Sequence, residues 1–277
     1  MTVITALLKQ RHIYYRNLLI VEVIALISLR ALQQAPQLVS LVYLVISGVG
    51  VLADSPLLPR NRLTHQLERN PLPLRGQQRL QRILQRRLLL EKSWLMAAAL
   101  ELLWQASLLM APVLAVQLSV LHMVVWIALL LYVLWALMNA LAEEPIFSGS
   151  LLMGAAAGYL LIGFTGGIVL NSLLAIDPAA FQLHPTGHQL PLAIAHAPQM
   201  LGAAFGSLTT LGSAALNEQS LTSVSASVGI TIVGQLYVAI LIAGVLGKPR
   251  QLTAVRKAAH RGRQVGATSP RLRRIRR

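Results

Sequence analysis

The position of the charged residues constrains this chain more than any other feature. No Lys or Arg occurs between Lys92 and Lys248, and most of that stretch consists of long apolar runs. Apolar residues make up 55% of the chain and charged residues 12%, against about 25% charged residues in soluble domains. A run of about 20 apolar residues is long enough to cross a bilayer as a helix. The sequence therefore predicts an all-α polytopic membrane protein.

The apolar runs predict six transmembrane helices with a re-entrant pore loop between the fifth and the sixth. The predicted crossings are 17–32, 37–53, 93–110, 116–141, 148–174 and 224–246. The apolar segment 200–208 is too short to cross a bilayer, and a polar Thr-Thr-x-Gly turn follows it. Non-helical backbone persists at membrane depth only where it is buried in protein or lines a water-filled cavity. This order of segments is typical of a pore.

The basic residues predict the topology and the division of the chain. With a cytoplasmic N-terminus and six crossings, every Lys and Arg except Arg30 lies on the cytoplasmic side together with the C-terminus, as the excess of basic residues in cytoplasmic loops requires. The predicted parts are an N-terminal helical hairpin (1–54), a cytoplasmic loop with a basic amphipathic helix (55–92), helices three and four (93–147), a pore domain (148–247) and a basic disordered tail (248–277).

The composition also excludes several functions. The chain has no cysteine, so disulfides, thiolate metal sites and cysteine nucleophiles are ruled out. No convergent acid, base and nucleophile and no phosphate-binding loop stands out, and we expect neither an enzyme nor a cofactor. The basic tail follows a membrane helix directly, and attraction to anionic lipids explains its charge without nucleic acid as a partner.

Three segments carry a resemblance to a known family. Residues 205–212 read FGSLTTLG, residues 234–243 read GQLYVAILIA, and residues 154–163 read GAAAGYLLIG. They resemble the pore loop, inner helix and outer helix of bacterial two-helix-pore potassium channels, in which a Thr-Thr-x-Gly-Tyr-Gly-Asp filter leads into a Gly-Gln-Leu-Tyr inner helix. The resemblance implies a homotetramer that passes a monovalent cation, potassium or sodium, in the bacterial inner (plasma) membrane or an internal membrane.

The predicted filter departs from the family pattern. Ser213, Ala214 and Ala215 stand where the family has Tyr, Gly and Asp. In such filters backbone carbonyls replace the hydration shell of the ion, and the family's glycines suit backbone angles that strain a residue with a Cβ. The resemblance therefore implies a degenerate selectivity filter with strain at Ala214. The predicted filter residues are Thr209, Thr210, Leu211, Gly212, Ser213 and Ala214, with Gly234 as an inner-helix hinge.

A row of arginines precedes the third crossing. Arg75, Arg79, Arg82 and Arg86 recur at four- and three-residue steps on one helical face. We interpret them as the lipid-headgroup side of an amphipathic helix on the membrane surface. A voltage sensor is the alternative, but a sensor helix directly precedes the outer helix of the pore. This one lies two crossings upstream, and we expect no voltage sensor.

Polar residues within the crossings leave alternatives open. Glu22 is expected close to the membrane interface. Glu101 and Gln105 share one face of the third crossing, and His122 is placed to pair with Glu101. Interhelical hydrogen bonding is the simpler account of these residues, and an ion or proton relay is the alternative. His184, His188 and His196 form either a metal site or a plain extramembrane turret, and the turret is preferred because Pro185 and Gly187 break any helix there.

Two functions follow from the sequence. The first is a tetrameric cation pore with altered selectivity and no voltage sensor. The second is a non-conducting channel homologue that serves as a structural or regulatory subunit and binds another membrane protein. The altered filter favours the second function, and the intact Thr-Thr-x-Gly turn and inner-helix pattern favour the first.

Overall fold

The computed structural model describes the backbone of residues 3–52, 74–143, 149–183 and 190–246. Side chains are described within these ranges at residues 13–51, 91–111, 113–142, 149–183 and 190–244. This part of the chain is helical apart from short turns and one isolated β-bridge. Its seven long helices are α1 (Val3–Ile27), α2 (Val39–Leu52), α3 (Leu74–Met110), α4 (Pro112–Glu143), α5 (Gly149–Ile176), α6 (Ala197–Leu208) and α7 (Leu221–Leu246).

Four helices of the described chain are long and apolar enough to cross a membrane. Their apolar windows are Glu91–Met110, Val113–Ala142, Gly149–Ile176 and Leu221–Gly244, and a shorter apolar helix spans Pro36–Val51. The prediction of an all-α integral membrane protein is therefore confirmed. Six crossings and a re-entrant loop remain predictions.

The N-terminal helices differ in length from their predicted ranges. Helix α1 begins at Val3 rather than at residue 17, and α3 runs as one helix from the predicted surface segment 74–90 into the third crossing. The side chains of the arginine row, 75–86, lie outside the described residues. Helices α3 and α4 are separated only at Ala111, and Pro112 occupies the first position of α4, where its missing N–H removes no hydrogen bond.

Helix α5 is the centre of the molecule. It packs against α1, α4, α6 and α7, and 56% of its apolar window is buried, compared with 17% for α7. Small residues let α7 approach closely, because a Cβ on Gly158 would overlap the hydroxyl of Tyr237. That hydroxyl donates a 2.9 Å hydrogen bond to the carbonyl of Ala155. Helices α5 and α7 therefore pack closely at this point.

A chain of aromatic rings joins the N-terminal helices to α5 and α6. Phe164 of α5 is fully buried and meets Tyr43 of α2 edge to face, with ring centroids 6.4 Å apart. On its other side Phe164 meets Phe205 of α6 in the same way at 5.3 Å. Edge-to-face pairs add to the stabilisation that burial of the rings already supplies. The first helices thus share one core with α5 and α6.

Glu22 is enclosed by the protein. Its side chain is 0% exposed, and neither carboxylate oxygen has a hydrogen-bond partner among the described residues. The helix that carries it, α1, packs against α2 and α5. The expected position near the membrane interface stays a prediction, because it depends on where the membrane lies.

Candidate functional site

The candidate site is built on α6 and the segment that follows it. Helix α6 has 12 residues and Pro198 in its first turn, where proline favours helix initiation. Its length is about 18 Å, which is too short to cross a hydrocarbon core of about 30 Å. Its buried positions include Met200, Leu201 and Leu208, and it packs between α5 and α7. The helix is thus a short, buried element surrounded by longer apolar helices.

The segment after α6 folds back as a helix cap. Thr209 donates to the carbonyl of Phe205 through its backbone N–H at 3.0 Å and through its hydroxyl at 2.7 Å. The N–H of Thr210 donates to the carbonyl of Ser207 at 3.1 Å, as in a Schellman-type helix ending, and the N–H of Gly212 donates to the carbonyl of Gly206 at 3.0 Å. The carbonyl oxygen of Gly212 lies against Gly206, where an added Cβ would overlap it. The predicted filter residues 209–212 therefore form a compact turn.

Two side chains from other helices complete the cap. The hydroxyl of Thr231, in α7, donates to the carbonyl of Ser207 at 2.7 Å. The hydroxyl of Tyr159, in α5, donates to the carbonyl of Leu208 at 3.0 Å. The last four carbonyls of α6 thus all accept hydrogen bonds within the protein. These carbonyl groups carry the partial negative charge of the helix dipole. Because Tyr159 and Thr231 belong to α5 and α7, these two helices hold the C-terminal end of α6 in place.

Backbone strain lies at Thr210 and not at Ala214. Thr210 has φ 62° and Gly212 has φ 74°, and no other described residue has a positive φ. Glycine adopts this conformation at little cost, whereas a β-branched residue there is strained. The expectation of strain at Ala214 is therefore wrong, because the tight turn ends before that residue.

The turn lies on the surface of the single chain. Thr209, Thr210, Gly212 and Ala214 are exposed, Ser213 is half-buried, and the apolar side chain of Leu211 is 86% exposed. A stripe of exposed apolar residues runs along α7 at four-residue spacing: Val224, Val228, Ile232, Leu236 and Ile240. Residues four apart share one helical face. Leu211 of the turn and this stripe of α7 are thus exposed apolar side chains in the single chain.

Backbone pairing holds the far end of the predicted filter. The N–H of Gln182 donates to the carbonyl of Ala215 at 2.8 Å, and the N–H of Asn217 donates to the carbonyl of Ala180 at 3.1 Å. Phe181 and Leu216 form the antiparallel bridge between them. These contacts tie the segment to the residues that follow α5, so that it is held without the aromatic ring that the family has at position 213.

The charges at this end of the molecule are acidic. Asp177 and Glu218 are the charged residues of the described ranges 149–183 and 190–246. Asp177 follows α5 and accepts a 2.9 Å hydrogen bond from Thr222 at the start of α7, and Glu218 is exposed in the connecting loop. No Lys or Arg accompanies them in these ranges. The charges between the end of α5 and the start of α7 therefore favour cations over anions.

Gly234, the predicted hinge, lies in the middle of the continuous helix α7. A Cβ at this position would overlap the side chain of Leu208, the last residue of α6. Close packing of α7 on α6 therefore requires a residue without a side chain here. The hinge stays a prediction.

A second polar site, which we call the Glu101 cluster, lies among α2, α3 and α4. It consists of Ser40, Glu101, Gln105, His122 and Trp126. Oε1 of Glu101 accepts hydrogen bonds from Ser40 at 2.6 Å and from Gln105 at 2.9 Å. Oε2 lies 2.6 Å from Nε2 of His122 and 3.2 Å from the indole nitrogen of Trp126. Glu101 is 0% exposed and His122 is 5% exposed.

The sequence indicated part of this cluster. Glu101 and Gln105 are four residues apart, and the pairing of Glu101 with His122 is borne out at 2.6 Å. Ser40 and Trp126 were missed, because serine and tryptophan are common in membrane helices for other reasons. The predicted histidine triplet is not testable, since His184 and His188 lie outside the described residues. Where side chains are described, no three metal-ligating residues come together.

Comparison of the chain with protein-family models, with curated proteins and with solved structures finds no match.

Gly206→Ala is expected to lower the free energy of unfolding by about 1–2 kcal/mol. The added Cβ would overlap the carbonyl oxygen of Gly212, so that the turn must shift. Gly202→Ala is the matched control, because Gly202 lies in the same helix and a Cβ there meets no atom within 4 Å. The control is expected to gain about 0.5–1 kcal/mol, since alanine favours helix. Unfolding in detergent mixtures, followed by circular dichroism, measures both, and equal effects would contradict the compact turn.

Proposed function

We propose that this protein is a potassium-channel-like pore protein: a homotetramer that passes monovalent cations, potassium or sodium, with altered selectivity and without a voltage sensor. One observation carries the proposal. A 12-residue helix, α6, is packed between two longer apolar helices and ends in an exposed Thr-Thr-Leu-Gly turn. Such a short helix with irregular backbone after it suits membrane depth only beside protein or a water-filled path.

Two further features support a pore between copies of the chain. The apolar stripe on α7 is uncovered in the single chain, so that neighbouring copies would cover it. The carboxylates of Asp177 and Glu218 lie between the end of α5 and the start of α7, without Lys or Arg in the described ranges around them, which favours cation entry. Anionic lipids are the proposed partners of the arginine row and the basic tail.

A second function, a non-conducting subunit of a membrane complex, is favoured by the cap of α6. The last four carbonyls of α6 accept hydrogen bonds from protein donors. The carbonyl of Gly212 lies against Gly206 and not in an open row. Selective filters offer successive carbonyls to the ion. In this arrangement a neighbouring membrane protein, rather than an ion path, would cover the exposed turn and the stripe on α7.

Potassium and sodium flux through the purified protein in liposomes tests the proposal. The double variant Ser213→Tyr and Ala214→Gly restores the family residues at both positions. We expect cation flux from the unmodified protein, and in the double variant a potassium-to-sodium ratio about tenfold higher, equal to about 1.4 kcal/mol of discrimination. The control is Ser225→Tyr with Ala226→Gly, which places the same pair of changes in α7 and should leave the ratio unchanged.

The outcomes separate the two functions. Flux from the unmodified protein establishes the pore. Flux from the double variant alone means that the scaffold is intact and closed at its filter. Absence of flux from both proteins, with helical content and thermal unfolding unchanged, overturns the pore and supports the non-conducting subunit.

A further inference from the structure

The short contact in the Glu101 cluster requires a hydrogen between two atoms that both carry lone pairs. Nε2 of His122 and Oε2 of Glu101 are 2.6 Å apart, which is the length of a strong, charge-assisted hydrogen bond. The hydrogen resides either on the imidazole nitrogen, which then donates to the carboxylate, or on the carboxyl, which then donates to the imidazole. Both arrangements use the same heavy-atom positions.

Trp126 satisfies either arrangement without moving. Its indole N–H is 2.9 Å from Nε2 of His122 and 3.2 Å from Oε2 of Glu101, and indole nitrogen is a donor only. When the imidazole holds the hydrogen, the indole donates to the carboxylate oxygen. When the carboxyl holds it, the single lone pair of Nε2 accepts from the carboxyl, and the indole again donates to Oε2, which has a second lone pair. A proton can therefore change position with little rearrangement of the surrounding groups.

The remaining contacts hold this geometry rigidly. Ser40 and Gln105 fix the other carboxylate oxygen of Glu101. The ring of Trp104 stacks on the imidazole of His122, with centroids 4.4 Å apart and an angle of 9° between the planes. An indole face attracts a positive charge, so this stack stabilises the imidazolium form. The site thus accommodates His122 in its neutral and its charged form.

A cavity of about 50 Å³ beside the cluster provides access for water. His122, Ser40 and Asn171 are among its lining residues, and the volume exceeds the 10–15 Å³ that a water molecule requires. The side-chain oxygen of Asn171 is buried and has no hydrogen-bond partner among the described residues, so that it offers an acceptor beside this space.

The titratable groups around the cavity are few. Tyr43 of α2 lines it, Glu101 of α3 faces His122, and the lining residues from α5, α6 and the turn before α6 are not titratable. Asn171 belongs to α5, and the lining residue Ala197 is the first residue of α6. The cavity beside His122 is therefore also lined by α5 and by the first residue of α6, the helix that precedes the Thr-Thr-Leu-Gly turn.

We propose that Glu101, His122 and Trp126 form a proton-binding site inside the membrane, hydrated from this cavity. His122 takes up one proton and becomes an imidazolium, paired with the Glu101 carboxylate and stacked on Trp104. Histidine is the side chain whose charge ordinarily changes between pH 5 and 8. Glu101 and Trp126 position the ring, and Trp104 reports its charge.

The test is tryptophan fluorescence of the full chain in lipid nanodiscs, titrated between pH 4.5 and 9. A positive charge on a stacked ring perturbs the indole, and we expect a reversible change in emission with pH. His122→Gln should abolish that change. His196→Gln is the matched control, because His196 is also buried, at 5% exposure, and its ring contacts the carbonyl of Leu192 outside the cluster. The control should retain the change in full.

Trp104→Phe keeps the proposal testable if His122→Gln does not fold. This variant removes the reporter and leaves the pair of His122 and Glu101 in place, so at least half of the pH-dependent amplitude should be lost. Retention of the full amplitude in Trp104→Phe or in folded His122→Gln would overturn the proposal. So would a folded wild-type protein whose emission does not change with pH. None of these readouts requires ion flux, so the result is independent of the pore.

Discussion

Glu101→Met is expected to lower the free energy of unfolding by about 3 kcal/mol. Methionine has a similar volume but accepts no strong hydrogen bond, so that His122 loses its 2.6 Å partner and Trp126 keeps only Nε2 of His122, 2.9 Å away, as an acceptor. The expected loss of stability lies at the lower end of the range for broken buried ion pairs, because two of the donors keep another acceptor. Ser40 and Gln105 each donate to the carbonyl of Gln37 at 3.1 Å.

Detergent-induced unfolding followed by far-ultraviolet circular dichroism measures this change without relying on the tryptophans of the cluster. Glu91→Met is the matched control, because Glu91 lies in the same helix and is partly exposed. Its replacement should change the free energy of unfolding by less than about 1 kcal/mol. A loss in Glu101→Met no larger than in Glu91→Met would show that the Glu101 cluster does not hold α2, α3 and α4 together.

Glu22→Met is expected to raise the free energy of unfolding by about 2 kcal/mol, the opposite sign for the same substitution. The Glu22 side chain is 0% exposed, and neither of its oxygens has a hydrogen-bond partner where the chain is described. An unpartnered polar group in an apolar core costs about 1–3 kcal/mol, and methionine of similar volume removes that cost. The same unfolding experiment measures the gain.

Val23→Met is the control for Glu22→Met. Val23 is the neighbouring residue and is 39% exposed, so its replacement should be nearly neutral. A loss of stability in Glu22→Met beyond that of Val23→Met would mean that the carboxyl has a partner in the folded protein. The helix segment ahead of residue 13, whose side chains lie outside the described residues, would then be the first place to search for it.

The two glutamates show why burial alone does not set the sign of a substitution. Both side chains are fully buried. Glu101 has hydrogen-bonding contacts with four side chains, whereas Glu22 has none among the described residues. Burial of a polar group is unfavourable until hydrogen bonds offset the loss of water. The number of partners therefore decides whether the carboxyl stabilises the bundle.

Much of the architecture was predictable from the sequence. Apolar runs and the absence of Lys and Arg between Lys92 and Lys248 indicate membrane helices. The length and hydrophobicity of a segment are enough for this prediction, because they do not depend on which other segments it contacts. The brevity of the segment that became α6 also followed from the pattern. The start of α1 did not, since Lys9, Gln10, Arg11 and His12 separate the mostly apolar residues 3–8 from the predicted crossing that begins at residue 17.

Only the tertiary structure decided how the polar groups are partnered. Tyr159 and Thr231 cap α6 from 49 and 24 residues away in the chain, and Ser40 reaches Glu101 across 61 residues. Hydrogen bonds act over about 3 Å, so that their formation depends on the packing of whole helices. The sequence by itself determined which segments are helical and apolar. The three-dimensional packing decided that residues 209–212 form a capped turn, that Thr210 bears the strain, and that one buried glutamate is partnered while the other is not.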